Sequence, residues 1–472
     1  MGKSHLSRRL FWEPQPLAWL TSLGFYPWLV VGTVCIGAFI GQLDASIISL
    51  VLPTLEVKFR SSLATVQWVA IAYLLVLTAL LTPIGHLGDR LGRKALYTLG
   101  FLVFVVGSAL CGLAPDIEVL IIARSLQGVG AAMLQANSVA IITAAVDSRH
   151  LGRAIGIQGT AQALGLAVGP AVGGLLITWL DWRWVFLINV PIGVIGAVLA
   201  RLALPTSSKS ATATSLNVKG AILLPLIVAS VLLTFTFLHL ALLFLPLALM
   251  LLAWYMRSER AAAQPLLGED IINAPGLAGG AVAALLSYTI LFGAMLAVPL
   301  LLERVYGESP LRAGLVLTLI PLALAVVAEL GGFLSDRSGP RLPTVGGMVL
   351  TGIGLMVLAW VAGHRSVWLS AALVMFGLGM GLFIPANNAS IMSAAPSTRL
   401  GVAGGLINTM RGIGASFGIA LVGFTLHLGV GAVATNKVEP DVVVHGIRMS
   451  LFWLVVAAVL GGLLSVRRRP IR

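Results

Sequence analysis

The chain has 472 residues, of which 58% are hydrophobic and only 10% charged, with a formal net charge of +13 and a mean hydropathy of +1.00. A soluble globular domain is excluded, since such domains are about 25% charged. The apolar residues come in runs of about 20, the length of a membrane-crossing helix, without the apolar–polar alternation of a transmembrane barrel, and the basic residues are scattered over short loops instead of forming the single stripe that nucleic acid requires.

Taken in order, the chain opens with a segment, 1–27, that carries Lys3, Arg8 and Arg9 and is followed by no small-residue cleavage pattern, so it is expected to be retained on the cytoplasmic side. Six predicted spans follow at 28–52, 64–84, 95–114, 119–145, 152–179 and 184–204, giving an amino-terminal six-helix bundle over 28–204. The stretch 205–275 reads as an insert. It begins with a Ser/Thr/Ala linker, Thr206 to Ser215, and continues as an almost uncharged run from Ala221 to Met256. Such a run is too long for one untilted helix and long enough for two short ones, so an extra transmembrane hairpin is predicted at about 220–256. Six more spans are predicted at 276–302, 311–333, 343–363, 367–393, 400–427 and 446–466, a second bundle over 276–466, before a basic tail at 467–472.

The two bundles carry the same marks. Gly85-His-Leu-Gly-Asp89-Arg90-Leu-Gly92-Arg93-Lys94 recurs as Gly332-Phe-Leu-Ser-Asp336-Arg337-Ser-Gly339, with the aspartates 247 positions apart. Gly156, Gly165 and Gly169 recur as Gly405, Gly414 and Gly418, each 249 later. Two unrelated patterns with nearly one offset indicate a duplicated unit, as in many transporter folds. With the amino end inside, the inner segments hold twenty Lys and Arg and the outer loops eight. Both termini and both Asp-Arg loops are therefore expected on the cytoplasmic face, an assignment that needs an even number of crossings in the insert. Trp179, Trp182 and Trp184 are expected in an outer aromatic belt. Cys35 and Cys111 fall inside apolar spans and the seven histidines are scattered, so neither a disulfide framework, a metal site nor a catalytic centre is indicated.

Several residues are out of place for a purely structural bundle. Asp44 lies near the middle of the first span, where a carboxylate costs roughly 3 kcal/mol on insertion scales. It either exchanges a proton as its surroundings alternate between wet and dry, or is permanently tied to a buried arginine. Arg124, Gln127, Gly128, Ala131 and Gln135 fall on one face of the fourth span and must turn to the bundle interior. Gln127, Gln135, Gln162, Glu329, Asn388, Asn408 and Arg411 are candidates for a central cavity, with Arg411 at the repeat position of Gln162. Glu329, near the end of its span, reads equally as a solvated carboxylate or a second coupling site. Gly165, Gly169 and Gly173 recur every four residues, a smooth stripe that lets another helix approach closely, and Pro170 removes a backbone donor within it. In the Asp89 loop, the carboxylate on a tight Gly turn could lie against a helix amino terminus.

These residues resemble the major facilitator superfamily and, within it, the fourteen-span drug/proton antiporters. The Asp89 loop (Gly85, Asp89, Arg90, Gly92, Arg93) is similar to the superfamily's motif A. Gly156, Gly165, Gly169, Pro170, Gly173 and Gly174 are similar to the antiporter motif C, and Arg124-Ser-Leu-Gln127-Gly128 to motif B. Leu43 to Pro53, Trp182 to Gly193 and Asn408-Thr-Met-Arg411 are also similar to stretches of that group, while Glu303 and Glu329 depart from its pattern.

The resemblance implies an all-α integral membrane protein, two pseudo-symmetric six-helix bundles plus the inserted hairpin, sited in the plasma membrane. It implies proton transfer involving Arg124 with Asp44, and a latch favouring the outward-facing state at Asp89 and Arg90, with Asp336 and Arg337 as a weaker counterpart. Motif C favours export. The expected function is efflux of a small amphipathic, drug-like or metabolite molecule in exchange for protons by alternating access, not catalysis. A proton-coupled uptake symporter is the alternative, followed by a passive channel. The expected partners are the solute and the lipid bilayer, with no nucleic acid, and the protein is expected to act as a monomer. No cofactor is expected, the proton gradient being the driving force.

Overall fold

A computed structural model of the chain describes residues 13–147, 150–207, 222–223, 226–227, 229–231, 233–234, 241–261, 276–363, 368–394, 400–430 and 439–466. A bilayer offers no water to backbone N–H and C=O groups, so each apolar run satisfies them internally as a helix. Among the described residues there is no strand. The first six long helices are α1 (Tyr26–Lys58), α2 (Trp68–Leu91), α3 (Arg93–Leu113), α4 (Ile117–Ala145), α5 (Leu151–Trp179) and α6 (Asn189–Ala203). The insert contributes α7 (Ala241–Ala261). The second set is α8 (Leu277–Leu300), α9 (Leu319–Ser338), α10 (Arg341–Val361), α11 (Trp368–Ala394), α12 (Leu400–Val430) and α13 (Pro440–Val466). Twelve of the described helices, the six of each set together with their short lead-ins, are long and apolar enough to cross a membrane.

The duplication is visible in the packing. In the first half α1 packs on α5, α2 and α3 on α4, and α6 on α1 and α3; in the second, α8 packs on α12, α9 and α10 on α11, and α13 on α8 and α10. The halves meet by exchange: α2 packs on α12, and α5 on α9 and the short helix Pro310–Leu317 before it. This arrangement puts the Asp89 and Asp336 turns at the same end. Most of the first arm of the predicted hairpin, and the linker from 208, lie outside the described residues. The second arm is α7, whose apolar part, Leu242–Ser258, is shorter than the twelve spans, and Leu223 packs with its Leu251 and Tyr255.

Two expectations change. The Asp89 stretch is not a loop: α2 continues as helix through Leu91, and the chain turns only at Gly92, whose φ of 109° is open to glycine at little cost. Gly339, at φ 81°, ends α9 in the same way. Trp182 leaves the expected aromatic belt. Trp179 and Trp184 are exposed, but Trp182 is 2% exposed, packed edge-on against Phe59 and Phe186, because the chain folds inward between α5 and α6 and its ring fills the space above α1.

Candidate functional site

Asp44 is 1% exposed, and its carboxylate is held by three donors from two other helices. Arg124 Nη1 donates to Oδ2 at 2.6 Å, while Gln127 Nε2 and Asn189 Nδ2 each donate to Oδ1 at 2.9 Å. The cluster continues outward. Arg124 Nη1 also donates to Gln127 Oε1 and its Nε to the Val69 carbonyl at 2.9 Å, Gln127 Nε2 reaches Ser108 Oγ at 2.7 Å, and the guanidinium lies 4.2 Å from the centre of the Tyr73 ring. Five helices, α1, α2, α3, α4 and α6, thus converge on one buried ion pair. A buried charge pair depends on how well its remaining donors and acceptors are satisfied; the three donors satisfy the Asp44 carboxylate, while Arg124 Nη2 and Asn189 Oδ1 are buried without a hydrogen-bond partner.

Beside this cluster lies a central cavity lined by residues of both halves. One wall is the face of α1 carrying Gly37, Ala38, Gly41, Gln42 and Ala45; α4 supplies Ala131 and Gln135, α5 Gln162, and α12 Asn408 and Arg411. Gln135 Nε2 donates to Asn408 Oδ1 at 3.4 Å, joining the two halves across the cavity. Tyr73 belongs to both sites: it lines the cavity and carries Arg124 over its ring.

The predicted cavity residues therefore divide. Gln135, Gln162, Asn408 and Arg411 line the cavity. Gln127 does not, because one helical turn from Arg124 it is drawn into the ion-pair cluster and is fully buried there. Glu329 is exposed on α9 away from the cavity. Asn388 is half-buried outside it, its Oδ1 without a hydrogen-bond partner. Asn189, which the sequence showed only as part of a longer pattern, supplies a direct contact to Asp44 from 145 residues away.

The glycine stripe also divides. Side chains at Gly165 and Gly169 would run into α1, at Phe39 and Ser46, and one at Gly174 into the backbone of Pro310 and Leu311. A Cβ at Gly314 would in turn meet the carbonyl of Pro170, so α5 and the second half touch backbone to backbone. Gly414 and Gly418 sit in the same way against Leu285 and Thr289 of α8. Gly156 and its repeat Gly405 have open space around them and take no part in this packing. Two further contacts close the same end: Arg304 Nη2, in a π-helical turn (Leu301–Val305) after α8, donates to the Pro53 carbonyl and pairs with the fully buried Glu56 of α1 at 3.4 Å. The bundle is therefore closed at the Arg304 end, while Gly156 and Gly405 have open space beside them toward the Asp89 end.

At that open end, the side chains of Asp89 and Asp336 lie outside the described set. Arg90 and Arg337 are exposed, and Gly85 has open space beside it. A carboxylate does sit at the amino terminus of α3, but it is that of Glu13. Glu13 Oε1 accepts from the Ala95 amide at 3.0 Å, and Ser207 Oγ from the amides of Arg93 and Lys94 at 2.8 and 3.3 Å. Glu13 also accepts from the amide and hydroxyl of Ser207, and Lys94 Nζ donates to the carbonyls of Pro14 and Leu204. Gly92 is needed a second time here, since a side chain would collide with Glu13.

The sequence profile of the Major Facilitator Superfamily matches residues 34–419. The chain belongs to this superfamily. Among its relatives, the riboflavin transporter RibZ of Clostridioides difficile (strain 630) is 32% identical over 399 residues, covering 83% of this chain and 87% of that one. The tetracenomycin C resistance and export protein of Streptomyces glaucescens is 30% identical over 442 residues, covering 90% and 81%. Among solved structures, a bacterial homologue of the human lysosomal transporter Spinster, in an inward-facing and unoccupied conformation, matches with a TM-score of 0.69 at 17% identity, covering 94% of this chain and 98% of that one. This likeness establishes the major facilitator fold. The chain is thus a multi-pass membrane transporter of that superfamily, its two halves enclosing the cavity described above.

Proposed function

We propose that this transporter is a drug:proton antiporter of the fourteen-span type, exporting a small amphipathic compound across the plasma membrane in exchange for protons. One observation carries the reading: a buried carboxylate, Asp44, paired to Arg124, separated from a two-half cavity by the single side chain of Tyr73. Protonation of Asp44 neutralises one partner and releases Arg124, which repacks the five helices meeting there. With both termini cytoplasmic, the closed Arg304 end is the outer one, and the glycine-stripe contacts there hold back proton leak. The protein works as a monomer and without a cofactor. The relatives named for riboflavin and tetracenomycin C transport point to fused-ring solutes, and the efflux of such compounds would confer resistance. A membrane potential of 100 mV supplies about 2.3 kcal/mol per charge and each pH unit about 1.4 kcal/mol, so one proton sustains an uncharged solute's gradient of roughly several hundredfold.

The test uses everted vesicles acidified by respiration and a pH-sensitive dye, with riboflavin, tetracenomycin C and ethidium added in turn to wild type and Asp44→Asn. Saturable discharge of the gradient by at least one compound in wild type and by none in Asp44→Asn is the expected result. Equal discharge in both removes Asp44 from the coupling, leaving it as a structural tie.

A further inference from the structure

We infer that the transported solute is an organic anion on an apolar ring body, an inference that rests on the central cavity being the transport site. The cavity carries charge of one sign. Among the described residues that line it, Arg411 is the one charged side chain, with no Asp, Glu or Lys beside it. Asp44 cannot serve as its partner, because that carboxylate is already held by Arg124, Gln127 and Asn189. Among the described residues, Arg411 makes no ion pair and no hydrogen bond to protein. A guanidinium offers five N–H donors in a planar fork suited to a carboxylate or enolate, and here all five are open to water or solute. Tyr73 also lines the cavity, and its buried hydroxyl has no hydrogen-bond partner. The amides of Gln42, Gln135 and Gln162 both donate and accept, so they orient a solute without selecting its charge. Phe292 and the glycine and alanine positions of α1 and α12 supply apolar wall for a ring system. A cationic solute entering here would meet a like charge with nothing to offset it.

The charge of the solute also fixes how transport responds to voltage. Exporting a monoanion while importing one proton moves two charges in the same sense, so the cycle is driven by membrane potential. A monocation exchanged for one proton moves none.

The test is equilibrium binding, measured by fluorescence titration of the full-length protein in lipid nanodiscs with 1-pyrenebutanoate and 1-pyrenebutylammonium, probes with the same ring body and opposite charge. Wild type is expected to bind the carboxylate about tenfold or more tightly than the ammonium, the ratio that one charge-assisted hydrogen bond provides. Arg411→Gln should abolish that preference, and Arg411→Lys should keep part of it, since the charge remains but the fork is lost. Gln162→Glu, which leaves Arg411 in place, should shift the preference toward the ammonium. Equal affinities in wild type, a wild-type preference for the ammonium, or an Arg411→Gln protein that still prefers the carboxylate overturns the inference. Binding requires no gradient, so a wild-type protein that prefers the carboxylate while no compound discharges the vesicle gradient refutes the antiport reading and leaves this inference standing.

Discussion

At the scale of single residues, the protein concentrates its cost at Asp44 and Arg124. Both are fully buried, and breaking such a pair from one side leaves a bare charge, a loss of about 3–5 kcal/mol. Arg124→Ala is therefore expected to lower the melting temperature in detergent sharply. Asp44→Asn keeps an oxygen for Gln127 and Asn189 but leaves the buried Arg124 charge without its partner, so it should lower the melting temperature as well. Adding Asp44→Asn to Arg124→Ala should recover part of the loss, measured by scanning fluorimetry of the three proteins; an additive double mutant would mean that the two side chains do not depend on each other. Asp44 and Arg124 were legible in the sequence because a charge inside an apolar run is conspicuous. Helical spacing placed Gln127 beside Arg124, but spacing does not say which neighbour a side chain turns to, and so Gln127 was expected in the cavity. Asn189 gave no signal of its own, being an ordinary polar residue at a helix start.

At the scale of elements, α5 is the piece that joins the halves. Its contact with Pro310–Leu317 is backbone to backbone at Gly174 and Gly314, and neither position has room for a side chain. Gly174→Leu should force this end apart. In a cysteine-free background carrying Ala313→Cys, a residue fully buried in the closed end, it should raise the rate of labelling by a membrane-impermeant maleimide several-fold; an unchanged rate would mean that this contact does not hold the closed state. Arg304→Ala should act in the same direction by removing the pair with Glu56. The stripe was legible because four-residue periodicity of glycine is a packing signal. The Glu13–Ser207 capping of α3 was not, because its members lie 194 residues apart in polar stretches that follow no period. Glu13→Gln and Ser207→Ala each remove part of a helix cap and should cost about 1 kcal/mol, seen as a lower melting temperature with the solute affinity unchanged.

At the scale of the molecule, the repeat explains most of what the sequence revealed. Twelve spans, two halves and the shared side of the Asp89 and Asp336 turns follow from apolar run length and a fixed offset, signals that survive without knowledge of any contact. The same repeat places Gly156 and Gly405 in open space and Gly165 and Gly414 in tight contact with α1 and α8 of their own halves. Closed at the Arg304 end, the structure would serve as one of the two states of the alternating access we propose. The insert was least legible, since an uncharged run without a polar turn fits one long helix or two short ones. The central claim is that Asp44 couples proton movement to a rocking of the two halves without being needed for the rocking itself. The measurement that tests it most directly compares two activities of Asp44→Asn in proteoliposomes, using whichever compound discharges the vesicle gradient. Exchange of labelled for unlabelled compound at near the wild-type rate, together with no accumulation against an imposed proton gradient, is the predicted result; accumulation equal to wild type would contradict it.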